Sequence, residues 1–172
     1  LLQTTRDMMQ AESPEDIADQ LVAATEELLA LDLSIVRFQD PSTDELVPIE
    51  GTAALAETVG DRPIYDVGEG GPGTVFESGE PTYRDDVHVD GVDTVLYLPL
   101  GTYGTLSAGV GNGDEFGGVE RQTAELLAAN ATTALERTER RERLELFERV
   151  IESVEDMRYV LDDDGQFVDV SE

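Results

Sequence analysis

A literal G-x-G-x-x-G stands at Gly68, Gly70 and Gly73, directly after the apolar run 64–67. Glycines in that spacing can cradle a pyrophosphate where a strand turns into a helix, as in dinucleotide-binding folds. That chemistry requires a full crossover helix after the turn, whereas the G-E-P run at 79–81 ends any helix early. The lysine of a phosphate-binding P-loop is also missing, since the chain contains no lysine. A nucleotide site is therefore not predicted here.

The glycine-rich stretch instead predicts a lid over a pocket. Gly68, Gly70 and Gly71 would bend the chain, Pro72 would begin a short helix, and residues 74–78 would close over a sheet. Aromatic side chains on or beside predicted strands and on the lid could line the pocket, with hydroxyl groups orienting a ligand. Ordinary core packing is the alternative for each of them. They are Phe38, Tyr65, Phe76, Tyr83, Tyr97 and Tyr103.

Two polar side chains could serve the same pocket. Arg84, on a predicted strand, could hold an anionic group of a ligand or pair with neighbouring Asp85 or Asp86. His88, the single histidine, follows that strand. As a ligand to haem or a metal it would have no partner histidine or cysteine, so a loop histidine beside carboxylates is the simpler interpretation. No metal site is predicted.

The charge of the chain is extreme, because 39 acidic residues face 11 basic ones, for a net charge of −28. Self-repulsion destabilises such a protein in dilute buffer, and salt relieves it, since the Debye length falls to about 3 Å at 1 M. The acids are spread through the chain rather than gathered in a tail, which indicates a surface adapted to high salt. Without a basic patch, no nucleic-acid partner is predicted for this segment.

Cysteine is absent, which removes thiol nucleophiles, thiolate metal sites, disulfides and thioether-linked chromophores. Paired acids with a base, a Ser–His arrangement and a metal cluster are missing too, so an enzyme is not predicted. No run approaches the roughly 18 apolar residues of a membrane span, and no signal peptide opens the chain. The expected location is the cytoplasm. A start without methionine and a stop within a periodic pattern suggest a segment of a longer protein.

Alternating helices and strands would position these side chains. An amphipathic pattern predicts a helix over 14–31, with Ser13 as its N-cap and Pro14 at its first position. The other predicted elements are strands at 33–38 and 46–51, a short helix at 52–60, a short strand within 81–87, and two strands within 94–112 joined at 101–104.

A long helix is predicted over 118–155, which contains neither Pro nor Gly after its first residue. Its length of about 55 Å exceeds what a small domain can cover. Apolar residues at steps of three and four predict a coiled-coil seam with a second copy of the chain, and a solvated linker helix is the alternative. The predicted seam residues are Leu127, Ala131, Ala134, Thr138, Leu144, Phe147, Ile151 and Val154.

The order of these elements resembles a GAF domain over residues 5–138. The stretch 67–87, VGEGGPGTVFESGEPTYRDDV, resembles the family's strand end, G-E-G, short helix and G-E-P before a strand ending in Asp. The stretch 95–136 resembles its central hairpin and exit helix. The resemblance implies an α+β fold, with a central antiparallel sheet, the N-terminal and C-terminal helices on one face, and the lid and pocket on the other.

Residues 147–172 resemble the first helix and hairpin of a PAS domain that is cut before its middle. The acidic, lysine-free composite resembles the sensory part of haloarchaeal signal-transduction proteins, which include sensor histidine kinases of two-component systems and bacterio-opsin-activator-like regulators. We therefore expect a GAF-like sensor domain at 1–138, a signalling helix at 139–155 and the start of a PAS-like domain at 156–172.

The resemblance implies a non-enzymatic sensor that binds a small molecule between sheet and lid and moves the exit helices of a homodimer. A ligand-free dimerisation and relay module, with a pocket filled by its own side chains, is the alternative. The family's covalent bilin and methionine sulfoxide reductase specialisations need a cysteine, and the N-K-F-D-E set of its cyclic-nucleotide subgroup needs a lysine. This chain contains neither residue, so none of these three specialisations of the family is expected. The cofactor is unknown, and haem is not expected.

Charge screening predicts that the chain is more stable in concentrated salt. Raising KCl from about 0.1 M to about 2 M should raise the midpoint of thermal unfolding by roughly 10 °C or more. Far-ultraviolet circular dichroism measures this, with a sucrose series as the control for stabilisation by excluded solutes. A midpoint that does not depend on KCl would contradict a surface adapted to salt.

Overall fold

A computed structural model describes residues 2–60, 62–85, 87, 91–111, 115–155, 160–161 and 167–168. The chain divides into two compact units, Leu1–Thr138 and Glu139–Glu172. The elements in chain order are α1 (Leu2–Gln10), α2 (Pro14–Leu29), β1 (Leu33–Asp40), β2 (Glu45–Gly51), α3 (Ala53–Val59), β3 (Tyr65–Asp66), α4 (Gly70–Ser78), β4 (Thr82–Arg84), β5 (Thr94–Pro99), β6 (Gly104–Val110), α5 (Gly118–Glu155), β7 (Val160–Leu161) and β8 (Phe167–Val168).

The strands of the first unit form one sheet in the order β3-β2-β1-β6-β5-β4. All neighbours in it are antiparallel. The central strands β1 and β6 pair from Leu33↔Gly109 to Phe38↔Gly104. The hairpins β1–β2 and β5–β6 lie where the sequence predicts them. The predicted α+β fold with a central antiparallel sheet is confirmed.

Helix α2 begins as predicted. The backbone N–H of Asp16 donates to Ser13 Oγ at 3.1 Å, and the N–H of Ser13 donates to Asp16 Oδ2 at 3.2 Å. This reciprocal capping box, followed by Pro14, satisfies amides that the helix itself leaves without acceptors. The helix ends at Leu29, slightly before the predicted residue 31, because Ala30 takes a left-handed conformation. Helix α1 was not among the predicted elements.

Side chains of the central strands alternate between the two faces of the sheet, as strand geometry requires. On one face, Val36 of β1, Leu96 and Leu98 of β5, and Leu106 and Ala108 of β6 are buried in a core cluster. Helices α1, α2 and α5 supply the other side of that cluster, so the N-terminal helices and the exit helix share one face as predicted. The α5 members are Ala124, Leu127, Ala128, Ala131, Ala134 and Leu135.

The lid helix α4 differs from its prediction. It begins at Gly70 rather than Pro72, so Gly71 lies inside the helix and does not bend the chain. Positive φ angles occur at Gly68 (85°) and Gly70 (62°), a conformation that glycine adopts without strain. Gly73 is required by space instead, since a Cβ atom there would collide with the carbonyl oxygen of Asp66 in β3.

The first half of α5 also differs from the predicted seam. Leu127, Ala131, Ala134 and Thr138 are each at most 3 % exposed. Their own chain buries them, and Leu127, Ala131 and Ala134 belong to the core cluster between the helices and the sheet. They therefore present almost no surface to a second copy.

In the second unit, α5 carries apolar side chains that are open to solvent. Leu144, Phe147 and Ile151 are 58 %, 63 % and 44 % exposed, and the side chain of Val154 lies outside the described residues. Strands β7 and β8 pair antiparallel. Residues 162–166, between the two strands, are also outside the described residues. Within the described part of the chain, no helix has the length and apolar character needed to cross a membrane.

Gly104 and Gly118 offer a matched test of the central pairing. A Cβ atom at Gly104 would collide with the backbone carbonyl of Arg37 in β1, whereas one at Gly118 meets nothing. We expect Gly104→Ala to lower the free energy of unfolding by about 3 kcal/mol or more, or to prevent folding, because two backbones must separate. Gly118→Ala should change it by less than about 1 kcal/mol. Urea unfolding measures both, and equal effects would contradict the close β1–β6 approach.

Candidate functional site

A cavity of about 130 Å³ lies on the face of the sheet opposite the core cluster. Strand residues that alternate with the core residues form its floor, and α3, the segment before β3, the first turn of α4 and the segment before β5 form its walls. Its polar lining residues are Arg37, Arg62, Tyr65, Tyr97 and Ser107. The rest of the lining consists of Leu33, Ile35, Leu55, Pro63, Pro72, Val87, Val92, Val95 and Gly109.

Arg37 reaches the cavity from the centre of the sheet and is only 4 % exposed. Its Nε–H donates to the carbonyl oxygen of Pro63 at 3.1 Å, and Nη1 donates to Ser107 Oγ at 3.5 Å. Its guanidinium carbon lies 5.0 Å from the centre of the Tyr65 ring, within the range of a cation–π contact. Neutral groups therefore hold this cation in place.

No carboxylate among the described residues forms an ion pair with Arg37. Removal from water lowers the pKa of its guanidinium, and the Tyr65 and Tyr97 phenols oppose that shift. Arginine nevertheless keeps its proton in proteins, and a buried charge without an opposite charge costs several kcal/mol. The cavity therefore holds a cation that the described side chains do not neutralise, in a chain where acids outnumber arginines 39 to 11.

An irregularity in the sheet sits beside Arg37. The register between β1 and β2 shifts at this point, so that Val36 faces Glu50 while Arg37 faces Pro48 and Ile49 is the extra residue. Proline has no N–H to give to a strand ladder, and bulges beside functional sites commonly re-aim a neighbouring side chain. On its other side β1 pairs with β6 in regular register. Arg37 thus sits between a regular ladder and a bulge.

Three further side chains complete the polar part of the cavity. Arg62 donates from Nη2 to the carbonyl oxygen of Gly51 at 3.4 Å and is half-buried. Tyr65 and Tyr97, both predicted site residues, bring phenol hydroxyls that can donate to a ligand. The ring of Tyr97 also touches α4 so closely that a Cβ atom at Gly71 would collide with it. Gly71 therefore lets the lid helix approach the sheet.

Three other predicted aromatic residues lie on the opposite face of the sheet. Phe38, Tyr83 and Tyr103 pack against the core cluster beneath the helices. Tyr83 meets the ring of Phe116 edge-on at 6.2 Å, and the guanidinium of Arg121 stacks 3.7 Å from its ring centre. Their role in this structure is packing.

Two further predicted site residues, Phe76 and Arg84, are not among the described lining residues of the cavity. Phe76 is half-buried on α4. Arg84 is exposed on β4 and borders an adjoining recess, which shares Val87 and Tyr97 with the cavity. His88 lies outside the described residues. Within the described part of the chain, no group of three or more His, Cys, Asp or Glu side chains could hold a metal ion.

Arg37, Arg62 and Ser107 are cavity residues that the sequence prediction missed. A signal for the first was present, because Arg37 is the only charged residue in the predicted strand LSIVRF and shares a strand face with Ile35. A charged residue among buried strand positions needs a reason. Arg62 and Ser107 carry no such signal.

Solved structures of similar fold include GAF domains and a free methionine-R-sulfoxide reductase. The chain is similar to the second GAF domain of DevS from Mycobacterium smegmatis (TM-score 0.66, 23% identity, 77% of this chain and 99% of that chain covered). It is similar to the GAF domain of a phosphoenolpyruvate-protein phosphotransferase from Coxiella burnetii (0.67, 20%, 83% and 94%). It is also similar to free methionine-R-sulfoxide reductase from Neisseria meningitidis (0.67, 17%, 81% and 87%). At these identities the likeness shows the fold alone.

Comparison with curated protein sequences gives no match. The family model described as GAF domain, in contrast, matches residues 11–136. That range runs from before the N-cap of α2 to the buried part of α5, and it contains strands β1–β6, the lid helix and every described residue of the cavity lining. The chain therefore belongs to the GAF domain family.

Proposed function

We propose that this chain is the non-enzymatic sensory domain of a signal-transduction protein, which binds a small molecule in the cavity and relays binding through α5. GAF domains are sensory and regulatory domains of signalling proteins. The chain has no cysteine, so thiol chemistry and a thioether-linked bilin are not available to it. Tyr65, Tyr97, Arg37 and Arg62 are the residues that we assign to ligand binding.

One observation carries this proposal: the cavity and the exit helix are built on the same strands. Ser107 and Gly109 of β6 line the cavity, while Leu106 and Ala108, which alternate with them, pack in the cluster that contains α5. Protein interiors are close-packed and transmit small displacements. A ligand that shifts β6 on one face must therefore disturb the packing of α5 on the other.

The size of the cavity favours a ligand over a self-filled pocket. Its volume of about 130 Å³ equals that of roughly four liquid water molecules at about 30 Å³ each. An engineered apolar cavity of about 150 Å³ holds benzene. As it stands, the cavity is too small for a cyclic nucleotide or a tetrapyrrole, which agrees with the absence of lysine and cysteine from the chain.

A second candidate function, dimerisation and relay without a ligand, is favoured by the exposed apolar residues of α5. Leu144, Phe147 and Ile151 follow steps of three and four, the spacing of a coiled-coil seam. The i,i+4 pairs Glu139–Arg143 and Arg141–Glu145 lie beside them and stabilise a helix by at most about 0.5 kcal/mol each. We propose that this half of the helix is the homodimer contact.

Three finer assignments are part of the proposal. The antiparallel β7–β8 pair supports the start of a PAS domain after the helix. The net charge of −28 without any lysine supports a salt-adapted, haloarchaeal source. A histidine kinase or a bacterio-opsin-activator-like regulator as the full-length protein follows from the resemblance alone, whereas a cytoplasmic location is proposed from the absence of cysteine in the sequence.

Filling the cavity tests the relay through the sheet. Val95→Phe adds volume at a cavity-lining residue that is 7 % exposed, and Ile64→Phe makes a similar change at a residue that is 53 % exposed. We expect Val95→Phe to alter amide hydrogen exchange, measured by mass spectrometry, in α4 and in the 124–135 part of α5. Ile64→Phe should leave α5 unchanged. An effect of Val95→Phe that stops at the cavity wall would contradict the proposed relay.

A charge on the exposed apolar stripe tests the dimer. Phe147→Glu should shift the chain from dimer to monomer in molar KCl, because it places a carboxylate in an apolar seam. Thr133→Glu adds the same charge at an exposed position of the same helix and should leave the dimer intact. Sedimentation velocity at micromolar concentrations measures both. If the wild-type chain is monomeric at all of these concentrations, the proposed dimer seam is excluded.

A further inference from the structure

We propose that the cavity binds a small aliphatic monocarboxylate, whose carboxylate pairs with the guanidinium of Arg37 and whose carbon chain packs against Ile35, Leu55 and Val95. The inference rests on the proposed sensory function and names the chemical class of its ligand. It assigns Arg37 as the specificity-determining residue of the cavity and Arg62 as a second source of positive charge.

The first reason is the unused hydrogen-bonding capacity of Arg37. A guanidinium carries five N–H donors, and the described residues offer Arg37 two acceptors, Pro63 O and Ser107 Oγ, the second at a long 3.5 Å. Arg62, at the same cavity, donates to Gly51 O at 3.4 Å. A planar carboxylate matches the planar guanidinium fork and can accept two of its N–H groups at once. It would supply both the acceptors and the negative charge.

The second reason is the sign of the charge around the cavity. None of the fourteen described lining residues is acidic, and two are arginine, although acids outnumber arginines in the chain. The described lining therefore attracts an anion and repels a cation. Charge focusing in a low-dielectric cleft strengthens this preference. Because Arg37 is 4 % exposed, bulk salt screens its pairing much less than it screens surface charges.

The third reason is the volume and character of the lining. About 130 Å³ accommodates a molecule of roughly four to six non-hydrogen atoms, by comparison with benzene in a cavity of about 150 Å³. Most lining side chains are apolar, so a multiply charged oxyanion would leave several oxygens without donors, at a large desolvation cost. A halide would leave the apolar part of the cavity empty. A short carbon chain with one carboxylate fills the apolar part of the cavity and pairs with Arg37.

Propionate and its neutral isostere propionamide provide the test. Isothermal titration calorimetry of the full chain in about 1 M sodium sulfate should show propionate binding at least about tenfold more tightly than propionamide, because it makes a charged hydrogen-bonded pair. Arg37→Met should abolish that preference. Arg140→Met removes an exposed arginine of α5 and should preserve it. A preference that survives in Arg37→Met would overturn the proposal, as would a wild-type chain that binds neither probe.

Two outcomes separate this inference from the proposed function. Equal affinities for propionate and propionamide would overturn the role of Arg37, yet leave a ligand-binding sensor whose relay the Val95→Phe experiment examines independently. A different result is that chloride displaces propionate one for one and raises the unfolding midpoint as much as propionate does. This would show that the site binds an inorganic anion, and it would overturn the proposal of a carboxylate ligand.

A second variant keeps the test decisive if Arg37→Met does not fold. Arg37→Lys retains the positive charge but loses the planar fork. It should weaken propionate binding at least about fivefold and leave propionamide binding unchanged. If Arg37→Lys weakens the binding of propionate and propionamide equally, Arg37 shapes the cavity without recognising charge, and the proposal is overturned.

Discussion

The pairing of β1 with β6 is the constraint on which the other features depend. These strands are far apart in sequence, yet they form the centre of the sheet, from Leu33↔Gly109 to Phe38↔Gly104. Glycine at position 104 lets the two backbones meet where a Cβ atom would not fit. Because side chains alternate along both strands, this single register assigns one set to the helix-covered core and the other to the cavity. A slip of one residue would exchange the two sets.

Arg37 shows how that register combines stability with function. It occupies a strand position whose neighbours are buried apolar residues, where an aliphatic side chain would pack without loss of hydration. The chain accepts a buried cation held by neutral groups, Pro63 O, Ser107 Oγ and the Tyr65 ring. Binding sites commonly carry such destabilising groups, because a group already satisfied within the protein has little left to offer a ligand. An anion that binds the folded state would recover part of the lost stability.

The glycine-rich stretch has a structural role that its sequence motif does not indicate. Gly68 and Gly70 supply positive φ angles before the lid helix, whereas Gly71 and Gly73 supply space, against Tyr97 and against β3. The pattern that elsewhere brings a backbone close to a pyrophosphate here brings α4 close to the sheet. In both cases a backbone must come closer to its neighbour than a Cβ atom would allow. Here that neighbour is another part of the same protein and not a ligand. A short helix in this position can cover a small cavity.

The sequence by itself determined most of the elements of the sheet and its helices, although not α1 or β3, since caps, turns and hydrophobic periodicity are local properties. The Ser13–Asp16 capping box, the two hairpins and the long helix all formed where local patterns indicated. Only the tertiary structure decided which face each strand residue occupies and which half of α5 its own chain buries. It placed Tyr65 and Tyr97 at the cavity but Phe38, Tyr83 and Tyr103 in the core, and it brought Arg37 to Ser107. Those outcomes depend on strand order and register, which are set by packing between residues distant in the chain.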